Sequence, residues 1–243
     1  MEGITDMKVI AVIPARYSST RFPGKALALL NGKPIIQHVY EATVNSGLFD
    51  QVIIATDDDR ISHAVHDFHG RCCMTSPDHK SGSDRIAEVV RDMDCDVVFN
   101  VQGDEPFISR EPLSALKDAF LDKTVEVASL MHIMQDEDDI VNPNNVKVVC
   151  DSLGDALFFS RSVIPYDRDN TGKVTYWKHI GVYAYRKQTL LRFITLPQGK
   201  IERIESLEQL RMLENGIRIR MIKTDYMGIG IDTPEDLEKA KQF

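Results

Sequence analysis

The chain has 243 residues, 43% of them hydrophobic and 27% charged, a balance that excludes disorder, collagen-like repetition and a disulfide scaffold as its organising principle. Acidic residues number 37 and basic residues 29, giving a formal net charge of −8. Its average field therefore repels nucleic acid and anionic membranes, and any phosphate ligand must be met by a local basic cluster.

Residues 9–13 (VIAVI) form an unbroken apolar run that stops at Pro14, and 51–56 (QVIIAT) and 96–101 (DVVFNV) repeat the pattern, with 71–75 (RCCMT) as a weaker member. Runs without period-2 alternation fit strands covered on both faces, as in parallel sheets. Helical patterns separate them. Residues 34–43 place Ile35, Ile36, Val39, Tyr40 and Thr43 near one face. Asp57 is positioned to cap a helix running toward Phe68 and ended by Gly70, and 83–91 present Ile86, Ala87, Val89 and Val90. This β-α-β-α-β-α-β order predicts a three-layer α/β domain with right-handed crossovers.

The second half changes character. Residues 125–133, 146–150 and 156–159 are β-like, with a turn at 151–154; 160–177 read as a long loop and 179–185 as another strand. A helix is expected over 201–214, a strand over 217–223, and a helix start at Thr233-Pro234-Glu235-Asp236. No composition break marks a second domain, so the expectation is a single domain over 8–243 behind a tail of 1–7. Cys72, Cys73, Cys95 and Cys150 lack C-x-x-C spacing, which favours free thiols in a reducing compartment. No apolar run approaches the roughly 18–20 residues that span a bilayer. Residues 1–6 carry Glu2 and Asp6 and do not read as a secretory signal. A soluble, cytoplasmic protein is expected.

Two places carry chemistry. The loop at 14–25 (PARYSSTRFPGK) follows the first strand, where open α/β sheets bind ligands, and offers Arg16, Arg21, Lys25 and three hydroxyl residues. That suits a polyphosphate, although the loop matches neither a Walker A nor a dinucleotide-binding pattern. Asp104, after Gln102-Gly103, and Asp232, after Gly228 and Gly230, are acids ending Gly-containing turns. Such hard oxygen donors suit Mg²⁺ with substrate phosphates. Each is equally well read as a turn or helix-start residue, and spacing does not show that they meet.

These motifs occur in order with 74–85 (MTSPDHKSGSDR), 156–161 (ALFFSR), 179–183 (HIGVY) and 204–211 (IESLEQLR). Together they resemble the 3-deoxy-manno-octulosonate (Kdo) cytidylyltransferase family from about Lys8 to Gln242. The first loop alone indicates only the wider sugar nucleotidyltransferase group; the later segments narrow it. The resemblance implies a Rossmann-like nucleotidyltransferase fold, a mostly parallel sheet with a β-rich insertion in the second half, and transfer of CMP from CTP to Kdo with Mg²⁺.

Residue by residue, it implies that Arg16, Lys25 and Asp104 are catalytic. Arg16, Arg21, Lys25, Ser81, Gly82 and Asp104 would bind CTP, and Asp104 and Asp232 would hold Mg²⁺. Gln102, Arg161, His179, Tyr183, Glu208 and Gln209 would line the sugar-acid site, with Arg161 facing the carboxylate. It also implies a homodimer, with no nucleic-acid partner and no stable membrane association, and a product that donates Kdo to lipopolysaccharide or capsule. Ser83 stands where the family usually has Thr. Glu105 stands where a branch acting on 8-amino-Kdo has Gln, which favours ordinary Kdo. The alternatives are the same transfer to 8-amino-Kdo or a sialic acid, and a non-catalytic nucleotide-binding protein. His63, His66 and His69, three apart without a converging acid or cysteine, read as solvated, as does the acidic run 136–139.

Overall fold

The computed structural model describes residues 7–18, 22–228 and 230–242. In chain order the principal strands are β1 (Val9–Ala15), β2 (Gln51–Thr56), β3 (Cys72–Met74), β4 (Val97–Asn100), β5 (Val127–Met134), β6 (Lys147–Cys150), β7 (Ala156–Ser160), β8 (Tyr176–Arg186) and β9 (Ile219–Lys223). The helices are α1 (Ile35–Asn45), α2 (Asp59–Asp67), α3 (Gly82–Val90), α4 (Arg110–Ala119), α5 (Glu137–Val141), α6 (Lys187–Phe193), α7 (Lys200–Glu205), α8 (Gln209–Glu214) and α9 (Pro234–Ala240). The chain divides into two compact units. One comprises Met1–Ser114, Ala184–Ile194 and Gly228–Phe243, the other Ala115–Tyr183 and Thr195–Met227. Neither is one continuous segment, so composition along the chain does not mark them.

In the first unit, β1 pairs in parallel with β2 on one side and β4 on the other, and β2 pairs in parallel with β3. Their spatial order is therefore β4-β1-β2-β3. The chain leaves β1 toward β2 and β3, then returns to place β4 on the opposite edge of β1. That reversal is a topological switch point, where the carboxyl ends of neighbouring strands splay and leave a crevice. β1, β2 and β4 are almost wholly buried, as their unbroken apolar runs require. Phe99, on β4, exposes no surface and meets Phe49 edge-on at a centroid distance of 4.9 Å.

The second unit is mixed. β9 runs parallel to β5, whereas β6 is antiparallel to both β7 and β8, with a register shift at Val149/Cys150. The α/β class, the mostly parallel sheet and the β-rich second half all follow the sequence reading. Several boundaries differ from it. Asp58, not Asp57, caps α2, its side chain accepting from Arg60 N at 3.0 Å; Asp57 faces Arg85 instead. The left-handed residue after α2 is His69, not Gly70. β8 begins at Tyr176, inside the expected loop. The helix expected over 201–214 is two helices, broken where Ser206 adopts φ +52°. Residues 136–139 are not a plain turn: Asp136 caps α5. α9 starts as expected, with Thr233 and Asp236 forming a reciprocal capping box and Pro234 in the first turn.

Truncating Phe99 removes an aromatic ring from the centre of the first unit. Phe99→Ala should lower unfolding stability by about 3–5 kcal/mol, measured by chemical denaturation.

Candidate active site

The crevice at the switch point is lined by the loop after β1 and the loop after β4. Gly24 takes φ +72°, and its amide bonds to Tyr17 O at 2.9 Å, closing the first loop. A Cβ there would stand 3.2 Å from the Tyr17 ring, so glycine serves both the conformation and the packing. The Arg60 guanidinium lies over that ring, 3.3 Å from the centroid. Lys25 follows directly in a single 3₁₀ turn.

From that turn the Lys25 ammonium donates to Asp104 Oδ2 at 2.6 Å and Asp232 Oδ1 at 3.0 Å. The lysine side chain is only 16% exposed, against 28% for Asp104 and 45% for Asp232. Burial opposes its charge, but the Asp104 carboxylate and then Asp232 outweigh that, holding its pKa above the ordinary lysine value. Two further contacts set the geometry. A Cβ on Gly103 would lie 2.8 Å from Pro14 O, so only glycine lets the β4 loop pass this close to the end of β1. Ile231 N donates to Asp104 O at 2.9 Å, tying the turn that carries Asp232 to the one that carries Asp104. The structure thus brings together Lys25, Asp104 and Asp232, which spacing left apart.

Arg16 is exposed and donates to Lys80 O at 3.0 Å, placing it beside the loop that leads to Ser81. Ser81 caps α3 in a reciprocal box with Asp84, and Gly82 packs on Pro14. Glu88 holds the same loop, accepting from Ser76 N at 3.0 Å and from His79. These bonds hold its carboxyl below the usual range, the His79 contact first. Arg85, completely buried, bonds Thr75 Oγ1 and stands 3.2 Å from Asp57 Oδ2. Arg21 lies outside the described residues. Gln102 donates to Asn100 Oδ1 at 3.2 Å, also in the first unit.

The other five expected sugar-site residues belong to the second unit. His179 Nε2 is 3.1 Å from Ser129 Oγ, and its ring lies between those of Phe159 and Tyr183 at 5.0 and 5.4 Å. Burial pushes its pKa down to about 3, so it is neutral at physiological pH. Tyr183 and Gln209 are buried, and Glu208 accepts from Arg211 at 3.0 Å. Arg161 donates through Nε to Glu205 O at 2.8 Å, through Nη1 to Pro143 O at 3.0 Å and through Nη2 to Ser206 O at 3.4 Å.

The sequence reading assigned no role to Arg85, Lys147 or Glu205. A charge on the buried face of α3, and a lysine inside the apolar run of β6, are signals only once those faces are known.

The family model described as cytidylyltransferase matches residues 10–219. The 3-deoxy-manno-octulosonate cytidylyltransferase of Flavobacterium johnsoniae is 53% identical over 238 residues, covering 97% of this chain and 98% of the relative. The chain belongs to the 3-deoxy-manno-octulosonate cytidylyltransferase family. The corresponding protein of Trichlorobacter lovleyi is 47% identical, covering 97% of this chain and 98% of its own. A solved CMP:2-keto-3-deoxy-manno-octonic acid synthetase, complexed with CTP, superposes with a TM-score of 0.92 at 44% identity, covering 97% of both chains.

Two outcomes test this geometry. Gly103→Ala must push the β4 loop off Pro14. It should lower kcat at least roughly tenfold while costing about 1–3 kcal/mol in stability, read by steady-state kinetics and denaturation on the same sample. His179 should show no imidazole titration in NMR between pH 5 and 8. The unfolded chain takes up a proton below about pH 6.5 that the folded site refuses. The His179 contribution to stability is therefore complete above that pH and falls as pH drops toward 3. A His179 midpoint near 6.5 would contradict the burial argument.

Proposed function

We propose that this chain transfers CMP from CTP to Kdo, releasing pyrophosphate. The observation that carries the reading is the convergence of Lys25, Asp104 and Asp232 at the switch point, in a member of this family. The Kdo anomeric hydroxyl attacks the α-phosphorus in line. One P–O bond forms, the bond to pyrophosphate breaks, and the hydroxyl proton is lost to solvent. Such transfer asks mainly for positioning and charge neutralisation.

Lys25 and Arg16, assisted by Arg21, neutralise the phosphates and the charge that grows on departing pyrophosphate. Ser81 and Gly82 frame the cytosine. In the second unit Arg161, His179, Tyr183, Glu208 and Gln209 hold the acid sugar, Arg161 meeting its carboxylate. A neutral His179 can then donate or accept a hydrogen bond without adding a positive charge.

Asp104 and Asp232 are the residues that would hold Mg²⁺. Their donor chemistry fits: two hard carboxylate oxygens converge on one cation, the number Mg²⁺ takes when substrate phosphates supply the rest. No group of three or more His, Cys, Asp or Glu able to hold a metal gathers among the described residues. When bound, Mg²⁺ polarises the α-phosphate and lowers the pKa of the attacking hydroxyl.

The proposal extends to a homodimer working in the cytoplasm and feeding lipopolysaccharide, on the strength of the family resemblance. No described helix is long and apolar enough to cross a membrane.

Pyrophosphate release should appear with CTP, Mg²⁺ and Kdo and vanish with EDTA. Release only with 8-amino-Kdo or N-acetylneuraminate would replace the substrate and keep the mechanism. CTP binding without release from any sugar would make this a nucleotide-binding protein. Lys25→Ala and Asp104→Asn should each lower kcat/KM by roughly 10²-fold or more. Normal turnover by Asp104→Asn with Mg²⁺ would remove it from metal binding.

A further inference from the structure

Lys147 lies on β6 with no exposed surface. Its ammonium donates to Asn142 O at 3.1 Å, Asn145 O at 2.7 Å and Arg161 O at 2.6 Å, using all three of its protons on backbone carbonyls. Burial pushes its pKa below the ordinary lysine value, opposed by the nearby Glu205 carboxylate. A buried cation is a poor source of stability, since an apolar side chain of similar size often does as well. Its use here is geometric. It fixes the 142–145 turn against the Arg161 backbone, and that turn supplies Pro143 O, which accepts from Arg161 Nη1.

Glu205 closes the other side. Its Oε2 accepts from Arg161 N at 3.0 Å, its Oε1 from Ser160 Oγ at 2.6 Å, and its own carbonyl from Arg161 Nε. Ser206, left-handed at the end of α7, turns its carbonyl to Nη2. Among the described residues these bonds engage one proton on each guanidinium nitrogen. A guanidinium carries five, so one remains on each terminal nitrogen. Two such donors are what a carboxylate meets bidentately.

We propose that Lys147 and Glu205 are positioning residues that preset the Arg161 guanidinium so that its two remaining donors face the carboxylate of the acid sugar. The inference rests on the reading under Proposed function and adds the parts that hold Arg161 ready before substrate arrives.

The test is steady-state pyrophosphate release, with KM measured separately for Kdo and CTP. The proteins are the unmutated chain, Glu205→Gln, Lys147→Met, Arg161→Ala and the Arg161→Ala/Glu205→Gln double variant. Glu205→Gln keeps the size of the side chain and removes its charge. It should raise the Kdo KM about tenfold, leave the CTP KM within about twofold, and add nothing further once Arg161 is alanine. Lys147→Met should show the same split; if it fails to fold, Glu205→Gln decides alone. An unchanged Kdo KM, a parallel rise in both KM values, or additive effects in the double variant would overturn the proposal. No release by the unmutated chain with Kdo would overturn the functional reading, and this one with it.

Discussion

One ammonium organises the first unit's ligand edge. Asp104 and Asp232 come from distant stretches of chain and carry like charge, so without a cation between them their closeness would be unfavourable. Lys25 supplies that cation from a third stretch. The arrangement needs three backbone solutions at once: the left-handed Gly24 that launches the Lys25 turn, the bare Gly103 that lets the β4 loop graze Pro14, and the Ile231–Asp104 bond that sets the two acids at one height. None of these uses a side chain that reads as functional. The visible chemistry depends on them because charged groups attract over a range but meet only where the backbone allows.

The second unit handles buried polarity in three other ways. Lys147 keeps its charge and meets it with carbonyl dipoles. His179 gives up its charge and packs between aromatic rings. Asp155 takes a direct partner, accepting from Arg220 Nε at 2.6 Å. The choice follows the available neighbours: a turn that turns its carbonyls inward, an aromatic wall, and the guanidinium of a neighbouring strand. Each fixes an orientation more than it adds stability, because desolvating charge consumes most of what pairing returns.

What could be read in advance divides along the same line. β1, β2 and β4 were legible because burial on both faces leaves an unbroken apolar run. The start of α9 was legible because Thr233, Pro234 and Asp236 act within one turn. The break between α7 and α8 was not, since Ser206 is left-handed in a segment whose carbonyls and carboxylate are claimed by Arg161 and Ser160, more than forty positions away. The capping of α2 was misplaced by one residue because three consecutive aspartates are locally equivalent, and only Arg85 distinguishes Asp57. The acids and the lysine were each visible as chemistry. Their meeting was not, because it depends on strand order, which no local pattern encodes.

Trp177 is the chain's sole tryptophan, at the start of β8, with the Lys223 ammonium 5.0 Å from its ring centroid. A cation held against an indole face shifts and quenches its emission, and the ring borders a cavity of about 630 Å³ with Cys150, Leu153 and Pro165 on its walls. The molecule therefore carries one indole, excitable apart from its seven tyrosines at the red edge of the absorption band and seated in the second unit. Its emission is a built-in optical channel for events in that unit, recorded without a label while absorbance at longer wavelengths stays free for other probes.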